Sequence, residues 1–251
     1  MPALETRGLT IRFGGHVAVN DVSCGFARGT LTAIVGPNGA GKTTYFNLIS
    51  GQLRASADRV LVSGDDITAL PTSVRTRRGL GRAFQLTNLF PQLPAIENVR
   101  LAVQSRADAG WSLFRTWNTR RDLIEKAEAV LERVRLSDKR NVVPAALSHG
   151  DQRKLEVALL IAMEPKVFMF DEPTAGMSVD EVPTVLELIH DIKQRGDATV
   201  LLVEHKMDVV RSLADRIVVL HNGALVADGD PATVIASPIV QEAYLGVEVS
   251  T

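Results

Sequence analysis

The sequence predicts an α/β fold, in which a mixed, mainly parallel sheet and an antiparallel β layer are joined by an inserted helical subdomain. Three observations predict it. A glycine-rich loop at 36–44 stands between an apolar run and a helical pattern, residues 96–162 carry a helical pattern, and apolar runs alternate with helical segments after residue 165. Such alternation is typical of a parallel sheet, and the helical block between its two halves indicates an insertion.

The glycine-rich loop fits the pattern G-x-x-x-x-G-K-[ST] of phosphate-binding loops. The apolar run Leu31–Val35 before it predicts a buried strand, and residues 44–50 after it predict a helix that ends at Gly51. Backbone N–H groups and the positive helix end then face one spot, where Lys42 can reach the outer phosphates and Thr43 can bind magnesium. The predicted nucleotide-binding residues here are Gly36, Pro37, Asn38, Gly39, Ala40, Gly41, Lys42, Thr43 and Thr44. The core is therefore predicted to be that of a phosphate-loop NTPase.

Composition places the chain among ordinary globular proteins. It has 251 residues, of which 45% are hydrophobic and 23% charged, so it can bury a large core in one or two domains. The formal net charge of -1 excludes the broad positive field that binds nucleic acid nonspecifically. A local basic cluster at Arg75, Arg77, Arg78 and Arg82 can still meet an acidic surface. We therefore expect no nucleic-acid partner.

Cysteine usage and hydropathy indicate the compartment. The single cysteine, Cys24, excludes an intramolecular disulfide framework and suits a reducing environment. No apolar signal core follows Met1, and no window reaches the roughly 18 apolar residues of a membrane span. We therefore expect a protein of the cytosol, unless a partner holds it at a membrane.

The segments around the loop extend the prediction. Residues 4–26 alternate loosely between apolar and polar types with glycine turn signals, which predicts the antiparallel β layer. Phe13 lies at the tip of this layer, where an aromatic ring either stacks on a base or simply packs against the protein. Further strands are predicted at 59–63 and 79–85, and after the helical block at 167–170, 199–203, 216–220 and 224–227. The α/β core is thus predicted at 1–88 and 163–251, and the helical subdomain at 89–162.

Two adjacent carboxylates follow the buried strand predicted at 167–170. Asp171, at the carboxyl end of the strand, is placed to hold magnesium on the far side from Thr43. Successive residues at a strand end diverge, so Glu172 can instead accept a proton from water that attacks the γ-phosphate. The alternative is a solvated acidic turn, which the upstream phosphate loop disfavours.

Taken together, these motifs resemble the ATP-binding subunit of an ABC transporter over nearly the whole chain. The segment 147–151, Leu-Ser-His-Gly-Asp, is similar to the signature Leu-Ser-Gly-Gly-Gln of that family. Gln85 matches the glutamine where the core meets the helical insertion, and His205 matches the switch histidine. With the phosphate loop and Asp171-Glu172, five motifs stand in the order that the family requires, which implies a single ABC ATPase domain over 1–251.

The resemblance implies roles in a site shared by two chains. Ser148 and the N–H groups that follow it, including that of Gly150, form a second anion site that completes the γ-phosphate cage of the opposite subunit. ATP is then held between two ATP-binding subunits, which are identical or paralogous, and Phe13 stacks on its adenine.

The resemblance also implies the catalytic set, Glu172, His205 and Gln85. His205 binds the γ-phosphate and orients Glu172, and Gln85 reaches the magnesium ion or the attacking water. The magnesium ligands are then Thr43, Gln85 and Asp171, and the cofactors are ATP and Mg²⁺.

Three residues depart from the family pattern. His149 replaces the first signature glycine, and Asp151 replaces the glutamine and adds a negative charge at a helix N-terminus near phosphates, which is expected to weaken the second-site contact. Ser178 stands where an aspartate is commoner. We expect Ser178 to cap the next helix in a capping box with Glu181, and Pro183 to remove one helical hydrogen bond.

The closer subfamily is indicated by the segments 81–85, 96–99, 228–231 and 243–246, which resemble ATPase subunits of branched-chain amino acid, amide and urea uptake systems. This resemblance implies a subunit that hydrolyses ATP to power a membrane permease for small polar solutes. It also implies a solute-binding protein as an indirect partner of the chain. The permease subunits are expected to hold the chain at the cytoplasmic face of the cell membrane.

Two other classes of phosphate-loop protein are alternatives to a transporter subunit. A soluble ABC ATPase that acts on DNA or ribosomes is typically built with a long coiled-coil insertion or two cassettes, whereas this sequence has one cassette and a compact insertion. A phosphate-loop GTPase needs a base-reading Asn-Lys-x-Asp stretch, and the sequence has none. The soluble ABC ATPase remains the alternative to the transporter subunit.

Overall fold

The computed structural model of the chain describes residues 1–83, 89–106, 121–238 and 240–241. These residues divide into two compact units. The first consists of Met1–Leu80, Lys166–Glu172 and the described part of 190–251, and the second of the described part of 81–165 together with Pro173–Ile189. The sequence did not suggest that 173–189 packs with the helical residues. The assignment of 1–88 and 163–251 to a core, and of 89–162 to a helical subdomain, stays a prediction.

The described elements follow one another in the predicted order. The strands are β1 (Leu4–Phe13), β2 (His16–Phe26), β3 (Leu31–Val35), β4 (Ala57–Val62), β5 (Asp65–Asp66), β6 (Leu80–Ala83), β7 (Val167–Asp171), β8 (Thr199–Val203), β9 (Arg216–His221) and β10 (Ala224–Gly229). The helices are α1 (Lys42–Ser50), α2 (Thr72–Arg77), α3 (Ala95–Arg106), α4 (Arg121–Arg133), α5 (His149–Ala162), α6 (Val182–Gln194), α7 (Met207–Leu213) and α8 (Pro231–Ile235). Two short 3-10 turns, Ser137–Lys139 and Pro144–Ala146, lie between α4 and α5.

The antiparallel β layer is confirmed. Among the described residues, four strands form this sheet in the order β2-β1-β4-β5, and β1 pairs with β2 from Leu4 opposite Phe26 to Phe13 opposite His16. Leu4, Leu9 and Phe26 are fully buried on the inner face of the layer. The hairpin tip therefore presents Phe13 and His16 side by side.

The second sheet is mainly parallel, as predicted. Its order among the described strands is β10-β9-β3-β8-β7-β6, in which β3 pairs in parallel with β8 and β9, and β7 with β8, whereas β10 is antiparallel to β9. Every residue of β3, β7 and β8 is buried, as expected for strands covered on both faces. The segments that follow β3, β8 and β7 must therefore meet at one edge, where α/β proteins bind their ligands.

Helix α1 begins at Lys42 rather than at the predicted residue 44, and its C-terminal end is held by further contacts. Gly51 ends the helix with φ 83°, as the sequence predicts. The guanidinium of Arg75, only 2% exposed, donates to two carbonyl oxygens in the last turn of the helix, those of Leu48 at 2.7 Å and Ile49 at 2.6 Å. These contacts hold the far end of the helix that starts in the phosphate loop.

A hydrophobic core lies between the antiparallel layer and the parallel sheet of the first unit. It includes Tyr45 and Phe46 from α1, both fully buried, packed with residues of β1, β4, β7 and β8. Burial of each such side chain stabilises the fold by roughly 1.5–3 kcal/mol. The Tyr45 hydroxyl is paired with the Thr6 hydroxyl at 2.8 Å, so its burial leaves no polar atom unsatisfied.

The second unit is helical, with α3, α4 and α5 packed against one another. The apolar spacing at 123–134 predicts one inward face, made of Leu123, Ala127, Val130, Leu131 and Val134. Four of these residues are buried in and just after α4, and Val130 is half-buried. Within the described ranges, none of the helices has the length and apolar character that a membrane span requires.

One local expectation is wrong. Pro183 is the second residue of α6, so it lies in the first helical turn. The N–H groups of that turn have no acceptor within the helix, so a proline there removes no helical hydrogen bond.

Candidate functional site

The phosphate loop forms a cradle that only glycine permits at two positions. Gly36 has φ 154°, and a Cβ on it would lie 2.1 Å from the carbonyl oxygen of Leu220. Gly41 has φ 95°, and a Cβ there would lie 2.4 Å from the carbonyl oxygen of Ala18. The backbone of the loop is thus tightly enclosed, and Gly41 starts α1 with no side-chain cap. Such a loop before a helix N-terminus fits the oxygens of a polyphosphate.

Lys42 points into this loop. Its side-chain ammonium donates to the carbonyl oxygens of Gly36 at 2.6 Å and Pro37 at 2.9 Å. Burial disfavours the charged form and lowers the pKa of Lys42, while the negative charges of Glu172 and Asp171 partly offset that effect. The cation is thus held at the phosphate loop, within the field of both predicted carboxylates.

An open pocket of about 350 Å³ contains much of the predicted site. It is lined by Phe13, His16, Ala18, Asn38, Gly39, Ala40, Gly41, Lys42, Thr43, Thr44, Glu172 and His205. Phe13 is 50% exposed, so half of its surface is not packed against the protein and is accessible to a ligand. Sequence reasoning missed His16, although its place opposite Phe13 in the hairpin puts both side chains on one face.

Glu172 and His205 are in direct contact. The Nε2 atom of His205 lies 2.6 Å from Oε1 of Glu172, as expected for a histidine that orients this carboxylate. Because an ionised carboxylate only accepts, Nε2 must carry the hydrogen in this bond. The backbone of Glu172 is left-handed, with φ 51°, and its N–H donates to the carbonyl oxygen of Val203 at 2.9 Å. The carboxyl group is thus aimed by its backbone and by one hydrogen bond.

The carboxylate of Glu204 supports the turn that carries His205. It is 3% exposed, and it accepts the N–H groups of His205 at 2.6 Å and Lys206 at 3.2 Å. Sequence reasoning also missed this residue. The sequence signal that could have identified Glu204 is its position directly before His205.

The predicted metal ligands are only partly described. Asp171 ends β7 and is 6% exposed, Thr43 lines the pocket, and Gln85 lies outside the described residues. Among the described residues, no group of three or more His, Cys, Asp or Glu side chains is arranged to hold a metal ion. One hydroxyl and one carboxylate are a donor set that fits magnesium, which keeps waters and substrate phosphates as its other ligands.

The signature segment opens a helix, as predicted. Ser148 is the N-cap of α5, and its hydroxyl oxygen accepts the N–H of Asp151 at 3.1 Å. Gly150 is buried in the first turn, whereas His149 is exposed and packs beside Gly176. The segment therefore offers a serine hydroxyl and the backbone N–H groups of a helix N-terminus to an anion.

The negative charge of Asp151 is paired with two lysines within the fold. That Asp151 weakens the second-site contact stays a prediction. Its carboxylate, in a residue only 5% exposed, pairs with Lys139 and, at 3.0 Å, with Lys154. Burial alone would raise the pKa of Asp151, but the hydrogen bonds and charges of the two lysines outweigh it and lower the pKa. Asp151 is therefore part of an internal ion network.

We expect Asp151→Asn to lower the free energy of unfolding by about 1.5 kcal/mol at pH 7, because two charge-assisted hydrogen bonds are lost. The pKa of Asp151 is lower in the folded chain than in the unfolded chain, where it is about 3.9. Its contribution is therefore complete above that value and is lost as pH falls through the folded-state pKa. Urea unfolding at pH 7, 5 and 3 checks this, with the exposed Asp180→Asn as control. A difference between wild type and Asp151→Asn that persists undiminished at pH 3 would contradict it.

Comparison with known proteins decides the family. The profile of the ABC transporter family matches residues 19–175, which include the phosphate loop, the signature segment and Asp171-Glu172. The chain belongs to the ABC transporter family. A second profile, that of the branched-chain amino acid ATP-binding cassette transporter, matches residues 224–250.

Relatives within the ABC transporter family match over the whole chain. One is the high-affinity branched-chain amino acid transport ATP-binding protein BraF of Pseudomonas aeruginosa, 38% identical over 98% of both chains. Another is the high-affinity branched-chain amino acid transport ATP-binding protein LivG of Escherichia coli, 36% identical over 98% of both chains. A solved ATP-binding cassette of an ABC transporter in its ADP conformation has a TM-score of 0.84 and 28% identity, and the match covers 98% of this chain and 100% of that one.

These comparisons confirm the predicted fold class, the predicted role as an ABC transporter ATPase and the nucleotide-binding cassette. They do not favour the soluble ABC ATPase as an alternative.

Proposed function

We propose that this chain is the ATP-hydrolysing subunit that powers uptake of small polar solutes, branched-chain amino acids or related compounds, by a membrane permease. The observation that carries the proposal is the meeting of the phosphate loop with Glu172 and His205 in one pocket. The choice of solute is supported by the relatives, which are named for branched-chain amino acid transport, and by the profile that matches residues 224–250.

ATP binding rests on the loop and on the hairpin tip. The backbone N–H groups of the loop and the N-terminus of α1 take the phosphate oxygens, while Lys42 moves from its two carbonyl acceptors to the outer phosphates. Phe13, half exposed beside the loop, stacks on the adenine. The same pocket then holds the base and the phosphates of one nucleotide.

Thr43 and Asp171 are proposed to hold magnesium, and Gln85 is proposed as a further ligand. When bound, magnesium neutralises charge that develops on the β- and γ-phosphates. The hydroxyl of Thr43 lines the pocket beside the loop, and Asp171 ends the neighbouring part of the sheet at the same edge. Burial of Asp171 keeps competing water away from its carboxylate.

Hydrolysis is proposed to use Glu172 as the general base. Its Oε1 atom already accepts a hydrogen bond from His205, so Oε2 is the oxygen left to take a proton from the attacking water. His205 keeps the carboxylate in one orientation before ATP binds, and its Nε2–H is proposed to turn to the γ-phosphate once the nucleotide is bound. Gln85 is the third predicted member of the set.

A complete site is proposed to need two chains. Ser148 and the N–H of Gly150 contribute the anion site of the signature segment to the nucleotide of the opposite subunit. The second chain is an identical or paralogous ATP-binding subunit. Permease subunits hold the pair at the cytoplasmic face of the cell membrane, and a solute-binding protein delivers the solute to them.

Uptake of labelled leucine tests the proposed solute. Cells that lack the gene for this chain should lose high-affinity leucine uptake, because the permease no longer receives energy from ATP. A plasmid copy of the wild-type chain should restore uptake, as should Asp197→Asn, an exposed change, whereas Glu172→Gln should not. Normal leucine uptake in the deletion strain, with loss of uptake of another solute, would contradict the solute and leave the ATPase role standing.

A further inference from the structure

The anion site of the signature segment is already in contact with a carboxylate of the same chain. Oε1 of Glu181 accepts the N–H of Gly150 at 3.2 Å and lies 3.3 Å from the hydroxyl of Ser148. A Cβ added to Gly150 would lie 2.3 Å from this oxygen, so the carboxylate sits directly against the backbone of the helix N-terminus. Glu181 therefore makes the contacts that Ser148 and Gly150 offer to an anion.

The second oxygen of Glu181 holds a different segment. Oε2 accepts a hydrogen bond from the Ser178 hydroxyl at 3.0 Å and from its N–H at 3.4 Å. This is one half of the predicted capping box; the N–H of Glu181 instead donates to the backbone carbonyl oxygen of Ser178 at 3.1 Å, and α6 begins only at Val182. One carboxylate thus ties the signature segment to the turn before α6. These hydrogen bonds, with that of Ser178 the strongest, lower the pKa of Glu181, so the group is ionised at neutral pH.

A phosphate and this carboxylate cannot share the site. Both are anions that need the same N–H of Gly150, and two like charges within hydrogen-bonding distance of one donor repel each other strongly. For a phosphate to bind at Ser148 and Gly150, the side chain of Glu181 must move away. When it moves, the turn at Ser178 loses its hydrogen bonds as well.

We propose that Glu181 is an intramolecular occupant of the signature anion site, which the γ-phosphate of the opposite subunit's nucleotide must displace when the two chains close. This inference rests on the proposed function, in which Ser148 and Gly150 complete the site of a second chain. Displacement of Glu181 releases the turn at Ser178, so closure of one site alters the segment that follows Asp171-Glu172. Glu181 thereby sets the ATP concentration at which the dimer forms.

The test compares charge removal with loss of the side chain. Glu181→Gln keeps the size of the group and one accepting oxygen but removes its charge and its second acceptor, whereas Glu181→Ala removes the whole polar group. Both are placed in the Glu172→Gln background, where a closed dimer persists. Glu187→Gln, on the exposed face of α6, is the matched control because it removes a charge from the helix that follows Glu181, away from Ser148.

Sedimentation velocity over an ATP series with magnesium measures the concentration that gives half-maximal dimer. Glu181→Gln should lower this concentration about tenfold, because the incoming phosphate no longer meets a like charge. Glu181→Ala should lower it similarly even if its melting temperature falls, and Glu187→Gln should leave it unchanged. A role in capping alone predicts that Glu181→Gln behaves as the parent.

The dimerisation results test the role of Glu181 separately from the proposed pairing of two chains. Dimers that form in the parent and in Glu181→Gln at the same ATP concentration, or at a higher one in Glu181→Gln, would overturn the inference and leave the proposed dimer intact. A dimer that forms only when Glu181 is replaced would support it. No dimer in any variant would overturn the proposed pairing of chains, and the occupant role with it.

Discussion

Replacing Glu172 by glutamine is expected to lower ATP turnover about a thousandfold while ATP binding is retained. An amide keeps the size of the side chain but does not accept a proton from water at neutral pH. Glutamine adopts the left-handed backbone at this position as readily as glutamate, so the loop keeps its conformation. Phosphate release measures the turnover, and calorimetry with ATP measures the affinity.

The control for this result is Asp197→Asn, a change of the same kind at an exposed carboxylate. It should turn over ATP like the wild type. The Glu172→Gln chain should also accumulate as an ATP-bound dimer, because closure is no longer followed by hydrolysis. Wild-type turnover by Glu172→Gln would show that another group accepts the proton.

Replacing Lys42 by alanine is expected to weaken ATP binding about 100-fold, or about 2.7 kcal/mol, because a charge-assisted hydrogen bond to the outer phosphates is lost. The ammonium lies against two carbonyl oxygens of the loop, in a residue that is only 5% exposed. Calorimetry with ATP measures the change.

Loss of Lys42 also removes its hydrogen bonds to Gly36 and Pro37, so thermal unfolding must be followed in parallel to separate affinity from stability. Lys126→Ala, at an exposed position of α4, is the matched control and should bind ATP like the wild type. Unchanged affinity in a folded Lys42→Ala chain would contradict the assignment of the phosphate site.

Those parts of the site that depend on neighbouring residues were predicted from the sequence. The strand, loop and helix around Lys42 are set by an apolar run, glycines at positions of unusual backbone and the cap at Gly51, all within a short stretch of chain. Ser148 as an N-cap and the hydrogen bond from the Ser178 N–H to the Glu181 carboxylate are local in the same way. Such features can be predicted because the residues that cause them lie close together in the sequence.

What was missed depends on contacts between distant residues. Asp151 looked like an unfavourable charge until its pairing with Lys139 was known, and that pairing depends on how a 3-10 turn packs beside α5. Glu181 was predicted as a cap, yet its contact with Gly150 joins residues 31 positions apart. No spacing rule links such residues, because only the packing of the helices brings them together.

Selection for heat resistance alone would act against Glu172. A residue with a side chain in that left-handed conformation costs roughly 1–2 kcal/mol that glycine would not. Variants selected only for thermal stability should therefore accumulate glycine at position 172. Each such variant is expected to be more stable than the wild type and to lose ATP turnover. A mutagenesis library designed to raise the thermal stability of this protein should therefore leave the codon of residue 172 unchanged.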